Sequence, residues 1–313
     1  MTPNRILVIG GAGFIGANLV FALINSGASV KVFTRAGRSV RNLSKILDRI
    51  ELVYGDFMDE AALKKALLGI DCVIHLVSTT FPGTSIDSGV YDVFSNLIPT
   101  IRLLETCVQY KIQKVIYASS GGTIYGEPKE TPIAEEHLLD PKSMYGLSKK
   151  TIEGYLSFFA RNFNINIQML RLSNPYGPYQ NPYGAQGLIG VAFRSALENS
   201  TLKVYGQGDT VRDYIYIEDV MSAFQCALKS EKSDTFNISS GTGKSVNEVL
   251  KAIEEVSGRE IKKDFIPQRR GDVQTNILSN KKAFESYQWK PEISFDDGIL
   301  DTWKWIKNEF PLS

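Results

Sequence analysis

The amino-acid sequence predicts an α/β protein built on a doubly wound parallel sheet, with a smaller C-terminal region beside it. Three observations carry this. Short apolar runs alternate with longer stretches of helical period through the first half of the chain. A glycine loop, Gly10-Gly11-Ala12-Gly13-Phe14-Ile15-Gly16, separates the first run from the first helical stretch. Residues 72–77 form a continuous apolar run, as expected of a strand buried on both faces.

The elements follow in order. Residues 6–9 read as a strand, 14–24 as a helix ending near Gly27, and 30–33 as a second strand, which together make a βαβ unit. Residues 52–54 read as a strand, 60–68 as a helix, 72–77 as a strand and 97–110 as a helix. The rhythm closes with a strand at 114–118, a helix at 145–162 and a strand at 165–172. Residues 1–172 are therefore expected to form one domain. Beyond Ser173 the texture changes: Gly, Pro, Asn and Tyr crowd 174–190, as in long loops near a ligand. Shorter elements follow, with helices expected at 246–257 and near the C-terminus. Residues 173–313 are expected to pack on the first domain, returning some segments to it and leaving a cleft between the two.

Composition narrows the chemistry. The 35 Lys and Arg against 34 Asp and Glu leave a net charge of +1, which argues against a nucleic-acid partner. No apolar run approaches the roughly 20 residues of a membrane span. The N-terminus lacks the pattern of a signal peptide, so a cytoplasmic, membrane-free protein is expected. Cys72, Cys107 and Cys226 are too scattered for a metal clip or a disulfide framework. With only His75 and His137 present, proton chemistry is expected to rest on other groups.

Gly10, Gly13 and Gly16 sit between a strand and a helix. There they permit a tight turn and let backbone N–H groups approach a pyrophosphate, so a dinucleotide cofactor is expected. The end of the second strand reads Val32-Phe33-Thr34-Arg35, with Arg38 close behind. No carboxylate is available there for a ribose diol, and two guanidiniums can hold a 2′-phosphate. This favours NADP, with NAD as the alternative. Asp56, in Gly55-Asp56-Phe57, is placed to meet the adenine or to cap a helix.

Tyr145 and Lys149 are spaced i, i+4 and share one helix face. An ammonium beside a phenol stabilises the phenolate, giving acid–base chemistry without histidine. The surrounding residues carry a resemblance. Gly10–Gly16, Gly55-Asp56, Val73-Ile74-His75-Leu76, Asn96 through Thr100, Ser119-Ser120 before Ile124-Tyr125-Gly126 and Tyr145-Gly146-x-Ser148-Lys149 are joined by Arg171-x-x-Asn174, Arg212-Asp213-Tyr214, Arg269-x-Gly271-Asp272 and Trp289-x-Pro291. Over nearly its whole length the chain resembles the extended short-chain dehydrogenases/reductases, the group of nucleotide-sugar epimerases, dehydratases and reductases.

The resemblance implies a Rossmann-type domain and a nucleotide-sugar substrate. It makes Tyr145 the acid/base and Lys149 its partner, also on the nicotinamide ribose. It sets Phe14, Ile15, Asp56, Phe57, Leu76 and Asn96 against the cofactor, and Asn174, Arg212 and Arg269 against the substrate. One position departs: where the family carries a Ser or Thr four residues before the Tyr-Gly step, this chain has Gly121. Thr123, Ser120 or a water must take that role, with Thr123 preferred and Ser120 next. Gly122 and Thr123 replace the acidic pair of the family's dehydratases, which disfavours a 4,6-dehydratase.

Two reactions at C4 of a hexose stay open. The first is NADPH-dependent reduction of a dTDP- or UDP-4-keto-6-deoxy-hexose in surface-polysaccharide precursor synthesis. The alternative is a UDP-hexose 4-epimerase of the UDP-glucose or UDP-GlcNAc type. A non-catalytic cofactor-binding scaffold or sensor is the remote alternative. The family also implies a homodimer through the helices at 97–110 and 145–162; Leu97, Ile101, Leu104 and Val108 share one face of the first, which could serve the dimer or equally pack inward on the sheet.

Overall fold

The computed structural model describes residues 3–81, 89–184, 186–268 and 272–310. The strands are β1 (Arg5–Ile9), β2 (Ser29–Thr34), β3 (Glu51–Tyr54), β4 (Cys72–His75), β5 (Lys114–Ser120), β6 (Asn166–Leu172), β7 (Asn174–Tyr176), β8 (Leu202–Tyr205), β9 (Val211–Tyr216), β10 (Asp234–Ile238), β11 (Gly243–Ser245), β12 (Lys263–Ile266) and β13 (Thr275–Asn276). Seven of them form one all-parallel sheet in the order β10-β6-β5-β4-β1-β2-β3. The order reverses at β1, and the cleft described below opens at the carboxyl ends of the strands around that point.

Both faces of the sheet are covered, and side-chain alternation splits the core in two. Ile6, Val8 and Ile74 face one apolar cluster, while Leu7, Ile9 and Val73 face the other. This is why the strands read as unbroken apolar runs. On the second face lie the helices Glu60–Leu67, Ile98–Gln109 and Met144–Asn162.

The chain after Ser173 does not stay apart. β10 pairs with β6 and forms the sheet edge. A smaller sheet gathers β7, β9, β11 and β13, and β8 pairs with β12. Among the described residues no helix is long and apolar enough to cross a membrane.

Two boundaries and one helix face are set by the structure. β4 stops at His75, because Leu76 and Val77 leave the sheet to enter the loop that lines the cleft. The helix expected at 97–110 begins earlier, at Gly89, and passes through a π turn at Val93–Leu97. The stripe Leu97, Ile101, Leu104 and Val108 is not an outward face. Leu104 is fully buried, and Leu97 and Val108 pack with it against the sheet. Val90, Tyr91, Val93 and Phe94, one to two turns earlier, are exposed apolar side chains of that helix.

Candidate active site

A cleft of about 350 Å³ opens where β1, β4, β5 and β6 end. Phe14 and Ile15 line it from the start of the helix Phe14–Asn25. That N-terminus has no side-chain cap and no acidic residue in its first turn. Its first backbone N–H groups are thus left for an anion. The turn closes tightly: a Cβ on Gly16 would collide with the Gly10 carbonyl oxygen. Gly13 donates its N–H to that same oxygen at 3.1 Å. These features fit a dinucleotide pyrophosphate.

Tyr145 and Lys149 face the same cleft from the helix Met144–Asn162. The Lys149 ammonium is buried, donates to the Ala118 carbonyl at 2.9 Å and lies 4.6 Å from the centre of the Tyr117 ring. It stands 5.6 Å from the centre of the Tyr145 ring. Burial lowers Lys149 to about 8, against the charges of Glu153 and Asp92, which raise it. Burial also pushes Tyr145 up to about 12, which a hydrogen bond from Ser120 opposes. The sequence expectation was a phenol lowered by its lysine. Here burial dominates the phenol and Lys149 is not among the groups that lower it; its ammonium is engaged by Ala118 and Tyr117.

Ser120 ends β5 beside Tyr145, and Thr123 donates to the Ser120 hydroxyl at 2.9 Å. Thr123 thus acts on Ser120, and Ser120 is the hydroxyl that favours the Tyr145 phenolate. The glycine at 121 has a physical reason: a Cβ there would collide with Leu278 Cδ1. The returning segment around β13 occupies the space a serine side chain would need, and nothing near Gly121 in sequence signals this.

Asn96 sits in the π turn and is buried. Its side-chain oxygen accepts from the Thr79 N–H at 2.9 Å, and its amide donates to Asp92 at 2.8 Å. It thus ties down the loop after β4, where Leu76 and Ser78 line the cleft. Asp92 is the site residue the sequence reading missed. Its buried carboxylate also accepts from Thr80 and Ser148 and lines a small recess with Tyr145, Lys149 and Asn96. Its i, i+4 spacing to Asn96 was the available signal.

Arg35 and Arg38 line a second cleft, of about 440 Å³, which reaches from the glycine loop at Ala12 to the C-terminal helix. Asp56 is exposed and accepts from the Met58 N–H at 2.8 Å. The helix cap is Asp59, which accepts from Ala61 and Ala62. Phe57 is buried against His75, with ring centres 4.9 Å apart.

On the opposite wall Asn174 lines the first cleft and donates to the Asp213 carbonyl at 2.9 Å. Arg212 is not among the residues that line this cleft: its guanidinium pairs with Asp272 at 2.8 Å, while Tyr214, two residues on along β9, lines it. Arg269 lies outside the described residues. The tyrosine helix is held to the sheet by a buried pair in which Arg171 donates to Glu153 at 2.7 Å and to the Tyr125 hydroxyl at 2.8 Å.

Comparison with known proteins agrees with this geometry. A family model described as GDP-mannose 4,6 dehydratase matches residues 7–302. The chain is 32% identical to a dTDP-4-dehydro-6-deoxyglucose reductase of Escherichia coli, covering 95% of each chain. It is similar to the UDP-glucose 4-epimerase of Thermotoga maritima solved with UDP-glucose, at 33% identity and a TM-score of 0.93, covering 97% of this chain and 99% of that one. It is also similar to the UDP-glucose 4-epimerase of Thermus thermophilus solved with NAD, at 32% identity and a TM-score of 0.90, with the same coverage.

Proposed function

This chain belongs to the extended short-chain dehydrogenase/reductase family of nucleotide-sugar enzymes, and from that premise we propose that it is a UDP-hexose 4-epimerase working on a retained NAD. The observation that carries the reading is the Tyr145, Ser120 and Lys149 cluster, set in a cleft that starts at an open helix N-terminus. Similarity to two UDP-glucose 4-epimerases over nearly the whole chain supports epimerisation ahead of net reduction. This reverses the order in which the sequence ranked the two. The NAD bound to the Thermus enzyme supports NAD in the same way.

A bound nicotinamide would supply uptake and return of a hydride and, when oxidised, a positive charge that favours the phenolate. Tyr145 moves the proton of the sugar 4-hydroxyl. Ser120, backed by Thr123, hydrogen-bonds to the phenol oxygen and orders that proton. Lys149 supplies the neighbouring positive charge, and Asn174 meets the sugar or its diphosphate. Arg212 and Arg269 serve the diphosphate, Arg212 by leaving Asp272. The protein acts as a cytoplasmic homodimer through the exposed apolar residues Val90, Phe94, Leu147, Tyr155 and Phe158 on its two neighbouring helices.

A second reading is favoured by Arg35 and Arg38 in the second cleft and by the reductase relative. It is NADPH-dependent reduction of a dTDP- or UDP-4-keto-6-deoxy-hexose. The test is to purify the protein and identify its retained cofactor. UDP-glucose and UDP-GlcNAc are then assayed for C4 inversion, and dTDP-4-keto-6-deoxyglucose for NADPH oxidation. Retained NAD with inversion and no net oxidation is the expected result. Stoichiometric NADPH consumption without inversion would replace this reading with the second. Tight cofactor binding with neither reaction would leave the scaffold.

A further inference from the structure

The second cleft contains a group that the end of β2 lacks. Arg35, Arg38 and Arg41 line it, and Glu309 is the one carboxylate among the described residues that does so. Glu309 is the last residue of the helix Phe295–Glu309, far from the glycine loop in sequence. Arg41 donates to the Glu309 carboxylate at 3.0 Å and to its backbone carbonyl at 3.2 Å.

This end of the chain is anchored. The Arg41 guanidinium lies 5.5 Å from the centre of the Phe310 ring. Phe310 packs against Trp305 and Tyr183, and Trp305 against Tyr179, each pair with centres 5.7 Å apart. Tyr179 in turn stacks at 5.5 Å on Phe21, in the helix that opens at the glycine loop. The carboxylate is thus held where an adenosine ribose would enter. The arginine–glutamate contact is partly exposed and worth little to folding stability. Its effect on a bound anion is larger, because a nucleotide covering the cleft would remove water from both groups.

We propose that Glu309 discriminates between cofactors, disfavouring a ribose 2′-phosphate and favouring a free ribose diol. Two physical effects lead there. Paired with Arg41, it neutralises one of three guanidiniums that would otherwise hold the phosphate. Its oxygens also repel that phosphate while accepting hydrogen bonds from hydroxyls, the task that an acidic residue after β2 performs in NAD sites. The inference rests on the reading that this cleft takes the adenosine ribose.

The experiment measures Kd for NADH and NADPH by fluorescence titration in the full-length wild type, Glu309→Gln and Arg41→Gln. In Glu309→Gln the ratio of the NADPH to the NADH Kd should fall about fivefold or more, the scale of one removed charge contact. In Arg41→Gln the ratio should rise. An unmoved ratio in Glu309→Gln, or equal weakening of both nucleotides, would leave Glu309 an anchor of the C-terminus and overturn the proposal. Absence of binding by the wild type to either nucleotide would sink the reading of the cleft, and this proposal with it.

Discussion

Replacement of Ser120 by alanine should lower turnover by about 10²-fold. Ser120 is hydrogen-bonded to the Tyr145 phenol, and this bond opposes the burial that pushes Tyr145 up to about 12. A hydrogen bond to a group carrying charge contributes about 1.5–3 kcal/mol, roughly 10- to 150-fold in rate. Thr123 acts one step removed, donating at 2.9 Å to the Ser120 hydroxyl. A neutral bond of that kind contributes about 0.5–1.5 kcal/mol, so Thr123→Val should cost roughly two- to tenfold. Because Thr123 works through Ser120, the two losses should not add, and Ser120→Ala/Thr123→Val should match Ser120→Ala within about twofold. The assay is the turnover number for UDP-sugar interconversion at saturating substrate, across a pH series. A Thr123→Val defect as large as that of Ser120→Ala, or losses that multiply, would refute the order Thr123, Ser120, Tyr145.

Four further outcomes can be checked. Gly121→Ser restores the family's hydroxyl but drives a Cβ toward Leu278, so it should cost about 1–3 kcal/mol in urea denaturation, relieved by Leu278→Ala. Glu153→Gln leaves the Arg171 guanidinium buried without its anion, so stability should fall by about 3–5 kcal/mol in the same assay. Burial holds His75 down to about 3, so the unfolded chain binds the extra proton below its ordinary pKa and stability is lost as pH falls from about 6.5. Between pH 6.5 and 5 this amounts to about 2 kcal/mol, and denaturation of His75→Asn at the two pH values should show that share of the slope missing. Phe158→Lys places a charge on an exposed apolar helix face and should shift sedimentation from dimer to monomer, whereas an unchanged profile would move the dimer contact elsewhere.

The parallel sheet was legible because burial on both faces writes apolar runs, and the glycine loop because its close approaches exclude side chains. The Tyr145–Lys149 face was legible from local spacing alone. What stayed hidden depends on contacts distant in sequence. Nothing around Gly121 announces Leu278, and nothing around Arg212 distinguishes Asp272 from Asp213 as its partner. The stripe from Leu97 to Val108 has the period of a helix face, but period cannot say whether that face looks at the sheet or at solvent. Tyr145 shows the same limit for electrostatics. The i, i+4 lysine was visible, while the burial that dominates its proton affinity depends on the assembled cleft.

The late arrival of β10 has a consequence for how the chain is made. β6 ends at Leu172, yet its outer neighbour is not complete until Ile238. Lys114, on β5, waits as long, since its ammonium is held by the carbonyls of Ala227 and Ser230. At ordinary synthesis rates of about 5–20 residues per second, the ribosome leaves this unpaired edge uncovered for several seconds. During that interval the nascent sheet offers a template for any passing strand. A polypeptide truncated after residue 172 should therefore aggregate rather than fold. Expression yield should depend on holdase chaperones that shield the edge until the second half of the chain emerges.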